Sequence, residues 1–515
     1  MTEREKILSG ATKLADIALS SAGLGSILLL FYVLYYYGWT GQRQFSNFTG
    51  FALYYGLPAS LAVLLFSCLL LKKDYKINVA LFCLSLAGSF YAAELILEIL
   101  SPALSAPRPI WVFDGESKQE KQQKAAKIER EFGVRFDTRE RIEVIADLKK
   151  QGIDSVPAII PRILLSIPKN STKRHARSVI TIRGEEILPL AGVSNITTVV
   201  CNETGRWMAY KSDEHGFNNP EGVWRSGQID IASVGDSFTQ GYCLPRQESF
   251  MGIVRREYPA TLNLGMAADG PLYMLAVINE YLSTLKPRIV LWGYFEEDAL
   301  RDLEIEKKSP LLMRYLSDSF NQGLAHRQND IDQALRSYIE KARRDREKRA
   351  ETPKSSKWMA KLLTFAKMGT LRKSLGMSFG EAREAEVSLE SMQGSDLDLF
   401  REILLQAKDR VHGWGGKLYF IYLPSWKRYA DLSDIGVQQR GRVLNLVKNL
   451  DIPIIDIHSA FAARDVPLAL FPFHGAGHYL AAGHELVGKE ILRALSPLSP
   501  QSPASTPMGE GSANP

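Results

Sequence analysis

Three nearly continuous apolar runs stand at the front of the chain: Ala22–Trp39, Gly50–Leu71 and Asn78–Leu97. Each is about 18–22 residues long, the length a helix needs to cross a hydrocarbon core roughly 30 Å thick. Core helices of soluble proteins seldom run so long with so little charge. The first run ends in Phe31, Tyr32, Tyr35, Tyr36, Tyr37 and Trp39, an aromatic belt suited to a headgroup interface. A secretory signal peptide would be shorter and would lead through a small-residue cleavage site into polar sequence. Three membrane spans are therefore expected.

The flanking cations set their direction. Arg4, Lys6 and Lys13 precede the first run, and Lys72, Lys73 and Lys76 fill the second loop. The first loop carries only Arg43, and after the third run the nearest cation is Arg108. By the positive-inside rule the N-terminus and the second loop are cytoplasmic, so everything after about residue 100 lies outside the cytoplasm. Glu94 and Glu98, near the outer end of the third run, are expected to reach the interface or pair with neighbouring helices; a polar site facing the bundle is the alternative.

Composition alone hides this segregation. Over 515 residues the hydrophobic fraction is 45% and the net charge +6, and the mean hydropathy is −0.11. These values exclude a many-spanning transporter and a disordered chain. The charge is too dilute to point to nucleic acid. Four cysteines cannot make a disulfide scaffold. Cys68 and Cys83 fall inside the apolar runs and read as small fillers. Cys201 and Cys243 lie in the exported part, where an oxidising compartment permits them to pair, two independent thiols being the alternative.

The sequence divides into an anchor (1–102), an extracytoplasmic lead-in (103–227), an α/β domain (228–495) and a Ser/Pro-rich tail (496–515) expected to be disordered. Within the lead-in, Gln119–Arg130 and Arg139–Lys150 read as helices. From residue 228, short apolar runs (Ile229–Val234, Thr261–Leu264, Ile289–Phe295, Leu418–Leu423, Ile452–Ile457) alternate with helix-period stretches. That alternation predicts a mostly parallel sheet covered on both faces. A polar, basic stretch at about 305–390, with Arg343, Arg344, Arg346, Lys348 and Arg349, interrupts it and reads as a solvated helical insertion, or as a lid or anion-docking surface.

In such sheets ligands bind beyond the carboxyl ends of the strands. Val234-Gly235-Asp236-Ser237-Phe238-Thr239-Gln240-Gly241 places Ser237 there, on a tight turn that exposes both its hydroxyl and its N–H. His478, in Gly477-His478-Tyr479-Leu480, lies between the last strand and the last helix and is the candidate base. His474 and His484 are its rivals. Gly265, after the second strand, can offer an N–H to an oxyanion without a side chain in the way.

These blocks resemble the SGNH (GDSL-type) hydrolase superfamily over about residues 228–495, and look closest to a bacterial membrane-anchored branch of it. There, Cys201-Asn202-Glu203-x-Gly205 and Ser212-Asp213-Glu214-His215-Gly216-Phe217-Asn218-Asn219-Pro220 look like the lead-in. The resemblance implies a three-layer α/β/α, flavodoxin-like fold with a parallel sheet. It also implies a Ser nucleophile, acyl-ester chemistry on carbohydrate or lipid, and no metal or organic cofactor. Two positions depart from the family pattern. The family's oxyanion Asn falls at Asp298, or at Glu297, and a carboxylate there repels an oxyanion. The Asp often found three residues before the His is Gly475, which leaves a backbone carbonyl or a remote acid such as Asp456 to orient His478. Three functions fit: a hydrolase of acyl esters, acetyl above all; an O-acyltransferase working with envelope polysaccharide machinery; or a non-catalytic glycan-binding scaffold.

Overall fold

The computed structural model describes residues 3–35, 55–100, 118–166, 175–317, 320–351, 394–430, 432 and 435–496. The chain forms two compact units, one containing residues 1–108 and the other most of the remainder.

In the first unit, α1 (Glu3–Val33) and α3 (Lys73–Leu100) are long and apolar enough to cross a membrane. Between them α2 (Leu57–Ser67) and a following 3-10 turn make a shorter apolar helix, Leu57–Leu70. The start of the second run, the aromatic belt beyond Tyr35, and Arg43 and Arg108 lie outside the described residues. Ala15, Leu19, Leu65 and Ala80 form the seam between the helices, with Cys68 and Cys83 half-buried as free thiols beside it. Lys76 bridges to Asp16 at 2.8 Å. Leu28, Phe31, Val63, Phe82 and Leu84 face outward and are exposed. Glu94 is buried. The Glu98 side chain lies outside the described residues.

The second unit is built on a five-stranded parallel sheet. Its strands are β4 (Ile231–Val234), β5 (Thr261–Asn263), β6 (Ile289–Phe295), β7 (Lys417–Leu423) and β8 (Ile454–Asp456). They lie in the order β8-β7-β6-β4-β5, and every neighbouring pair is parallel. The order reverses between β4 and β6, the switch point where such sheets open a crevice at their carboxyl ends.

The side-chain alternation of a strand sorts the core into two faces. Along β6, Ile289 and Leu291 point to one face with Ile231, Tyr419 and Ile421. There they meet α6 (Phe250–Glu257) and α12 (Ala481–Leu495) through Phe250, Val254, Val487 and Ile491. Val290, Trp292 and Tyr294 point to the other face. That face is covered by α7 (Pro271–Val277), α10 (Gly394–Gly413) and α11 (Ile435–Asn449), whose Phe400, Ile403, Leu404 and Ala407 keep helical spacing. The five expected strands all form, each within two residues of the expected ends.

Two expectations change. The lead-in folds as α4 (Lys118–Phe132), α5 (Arg141–Lys150) and a small sheet of β1 (Ser155–Pro157), β2 (Thr197–Cys201) and β3 (Met208–Lys211). Its Val144, Ile145, Leu188, Leu190, Val199 and Phe217 join the same apolar cluster as the main sheet. It is therefore part of the α/β body, sharing one core. The basic stretch after residue 305 is likewise no free-standing insertion in its first half. Leu311, Leu312, Tyr315, Leu324, Ile331, Leu335 and Ile339 are buried in that cluster. After α8 (Ala299–Glu306), along α9 (Gln328–Glu351), Arg336 pairs with Asp154, Arg343 with Glu340 and Glu347, and Arg346 with Glu140. Residues 352–393 and the tail after 496 lie outside the described residues.

Candidate active site

Past the end of β4 the chain turns sharply at Gly235-Asp236 into a single helical turn, Ser237–Gln240, closed by Gly241 in the left-handed conformation (φ 75°). The Asp236 carboxylate caps the turn by accepting the Phe238 N–H at 2.9 Å. The turn is packed very tightly. A methyl group on Gly235, Gly265 or Gly293 would overlap Thr239, so three strand ends close around one side chain. Ser237 opens the turn, so its N–H has no acceptor within it.

His478 Nε2 lies 2.7 Å from Ser237 Oγ. The other side of the ring faces Glu203, with Nδ1 2.9 Å from each carboxylate oxygen. The backbone N–H of His478 donates to the same carboxylate at 2.9 Å. Phe238 and Tyr242 flank the ring at 4.7 and 5.0 Å between centroids. Burial pushes the Glu203 carboxyl up, but the facing His478 outweighs it and holds the group below its ordinary value. The reverse holds for His478. Burial lowers it, Glu203 outweighs burial, and Asp236 and Asp298 add to the rise.

The rival histidines are placed elsewhere. His484 is fully buried, accepts the Phe250 N–H at Nδ1 (3.2 Å) and is pushed by burial down to about 3, so it stays neutral. His474 sits edge-on to Phe132 at 6.0 Å. Asp456 is paired with Arg440 and accepts the His458 N–H, so it is engaged away from His478. Glu203 takes the place expected of a remote acid. Its only sequence signal was membership of the Cys201–Gly205 block.

Gly265 sits beside the turn, but its N–H donates to Asn263 Oδ1 at 3.0 Å. A methyl group there would meet backbone atoms of Thr239 and Gln240 within 3 Å. The glycine is thus explained by close approach of the β5 loop to the Ser237 turn. The three acids after β6 each have a cation: Glu296 binds Arg428, Glu297 binds Lys427, and Asp298 binds Arg301 at 2.5 Å. The Asp298 side chain is engaged with Arg301 and carries no N–H to offer an oxyanion, unlike the Asn of the resemblance. The Ser212–Pro220 block is architectural. Buried Asp213 accepts from the His215 and Phe217 amides, Asn219 and Trp224. Asn218 donates to Gln240 O and Asn219 to Asn263 O, which ties the block to both site loops.

Cys201 and Cys243 are joined as a disulfide with Cα atoms 5.5 Å apart. The Cys243 sulfur, the Glu203 carboxylate and His478 lie within 4.8 Å of one another. A metal at this point would need Cys243 as a thiolate, and a disulfide sulfur is not one.

Behind the turn lies a group of buried acids. Burial and the Asp298 charge raise Asp236 to about 7. Burial and Asp302 raise Glu306, which accepts the Gly270 and Leu272 amides, to about 8. Neither Asp269 oxygen has a hydrogen-bond partner among the described residues, and burial pushes that group up as well. These carboxyls hold their protons in the fold and lose them unfolded, so the folded state binds more protons between pH 4 and 8. Stability must then fall as pH rises through that window. The melting temperature is expected to be higher at pH 5.5 than at pH 8.5, and Asp269→Asn to narrow the gap. An equal gap in that variant would remove Asp269 from the effect.

No protein-family model matches the chain, and no curated protein matches it. Solved structures do resemble it over about half its length. One is a member of the lipolytic G-D-S-L family from Veillonella parvula, 12% identical, covering 52% of this chain and 98% of that one, with a TM-score of 0.29. Another is a lipase/acylhydrolase from Enterococcus faecalis, at 14%, 52%, 97% and 0.28. A third is an acetyl-xylooligosaccharide esterase from Geobacillus, at 13%, 52%, 94% and 0.28.

Proposed function

We propose that the chain is a membrane-anchored, extracytoplasmic SGNH-type hydrolase of small acyl esters, acetyl esters above all. The observation that carries this reading is the 2.7 Å contact between Ser237 Oγ and His478 Nε2 at the switch point of a parallel sheet. Ser237 Oγ attacks the ester carbonyl as His478 takes its proton. The Ser237 N–H stabilises the oxyanion, and the imidazolium returns the proton to the departing alcohol. Water, activated by the same histidine, then releases the acyl group.

The acetyl preference is supported by exposure. Ser237 is 8% exposed, and the His478 ring that contacts it is flanked by Phe238 and Tyr242, which favours a small reacting acyl group. The apolar N-terminal helices support an anchor, and the charge of the flanking loops supports an extracytoplasmic site. Carbohydrate or lipid esters presented at the envelope are the substrates in this reading.

A panel of nitrophenyl esters tests the size limit. Acetate is expected to be cleaved with a kcat/KM at least about tenfold above octanoate, since every added methylene must find room beside a nearly closed hydroxyl. Equal or faster octanoate cleavage would replace acetyl with long-chain specificity.

A further inference from the structure

The position three residues before His478 is Gly475, yet the structure brings an acid to the histidine from a segment more than 270 residues earlier. Glu203 meets the histidine three times, at Nδ1 with both oxygens and at the backbone N–H with Oε2, each at 2.9 Å. We propose that Glu203 is the positioning residue that fixes the tautomer and orientation of His478, and that the Cys201–Cys243 disulfide clamps it there, so that the lead-in is an obligatory half of the active site. The proposal rests on the acyl-ester reading above.

The surroundings are built for this contact. Gly477, at φ 149°, leaves room for the carboxylate, which a Cβ would approach to 3.1 Å. Cys201 lies two residues before Glu203, and Cys243 six residues after Ser237, so one covalent bond joins the acid-bearing and nucleophile-bearing loops. Tyr242 braces the same pair by donating to Val200 O at 3.2 Å. On its far side the Glu203 loop is held by Asn202, which donates to Asp137 O at 2.5 Å, and by the Asp137 N–H, which donates to Gly205 O at 2.8 Å. A carboxylate at Nδ1 keeps the proton there, so that Nε2 presents its lone pair to Ser237, and it stabilises the imidazolium formed during attack. The charged and titratable groups facing the pair are Lys124 from α4, Tyr242, Asp236, Asp298 and His484.

The test is a set of pH–rate profiles on the full chain in detergent, with nitrophenyl acetate. Glu203→Gln is expected to lower kcat by about 10²–10⁴-fold with KM changed less than about threefold, because an amide favours the wrong tautomer. Its acid limb in kcat/KM should move to lower pH, since the group that favours the imidazolium is gone. Glu203→Asp should keep the limb near its original position with an intermediate rate, and it carries the test should Glu203→Gln fold poorly. The double variant Cys201→Ser/Cys243→Ser should lower kcat by about tenfold or more while it still folds. Wild-type kcat and an unmoved acid limb in Glu203→Gln, with Ser237→Ala inactive, would overturn the proposal. Equal rates for Ser237→Ala and wild type would instead overturn the acyl-ester reading, and the proposal with it.

Discussion

Ser237→Ala is expected to abolish ester hydrolysis, lowering kcat by about 10⁴–10⁶-fold while leaving the melting temperature within a few degrees of wild type. The hydroxyl lies 2.7 Å from His478 Nε2, and its removal leaves the base with nothing to activate. Removal of a nucleophile that acts as one unit with its base typically erases nearly the whole contribution of the set. Stability should hardly change, because the Ser237 side chain caps nothing. The turn is held by the Asp236 carboxylate on the Phe238 N–H and by the Gln240 and Tyr242 amides on backbone oxygens. Hydrolysis of nitrophenyl acetate by purified full-length protein, with a thermal melt alongside, checks both halves.

Gly265→Ala should act in the opposite way, through the fold. The Gly265 backbone is not in the left-handed region, so alanine is conformationally permitted. The obstacle is space, since the new Cβ would lie 2.6 Å from the Gln240 nitrogen and 2.8 Å from the Thr239 carbonyl carbon. Those are backbone atoms, fixed by the turn that carries Ser237, and they cannot swing away. Overpacking against fixed atoms costs about 3 kcal/mol, which corresponds to a fall of about 4 °C in melting temperature for a body of this size, at roughly 2 cal/mol/K of unfolding entropy per residue. If the glycine served only to bare its N–H to an oxyanion, alanine would fold normally and lose rate alone. The two outcomes separate cleanly in a melting curve.

The division between what was legible in the sequence and what was not follows the range of the interactions. The five strands were readable because each is a short apolar run bounded by helix-period sequence, and Ser237 and His478 because each immediately follows or precedes such an element. His478 could be preferred to His484 by its distance from the sheet edge, and in the structure His484 is fully buried with its Nδ1 accepting the Phe250 N–H. Glu203 was not readable as the partner of His478, because the contact is made through space by a segment outside the strand–helix alternation. Gly265 was readable as a required glycine but not for its reason, since close backbone approach and oxyanion access ask for the same residue. The first half of the basic stretch was misjudged because its apolar residues are sparse. Leu311, Tyr315, Leu324, Leu335 and their neighbours are spaced widely among charges, yet all reach the core.

The central claim is that Ser237 is a nucleophile activated where it stands. Labelling of the full-length protein with a fluorophosphonate probe, followed by mass mapping of the adduct, measures this most directly. The expected result is one adduct on the peptide carrying Ser237, absent in Ser237→Ala and strongly slowed in His478→Ala. No adduct on wild-type protein, or an undiminished adduct in Ser237→Ala, would contradict it.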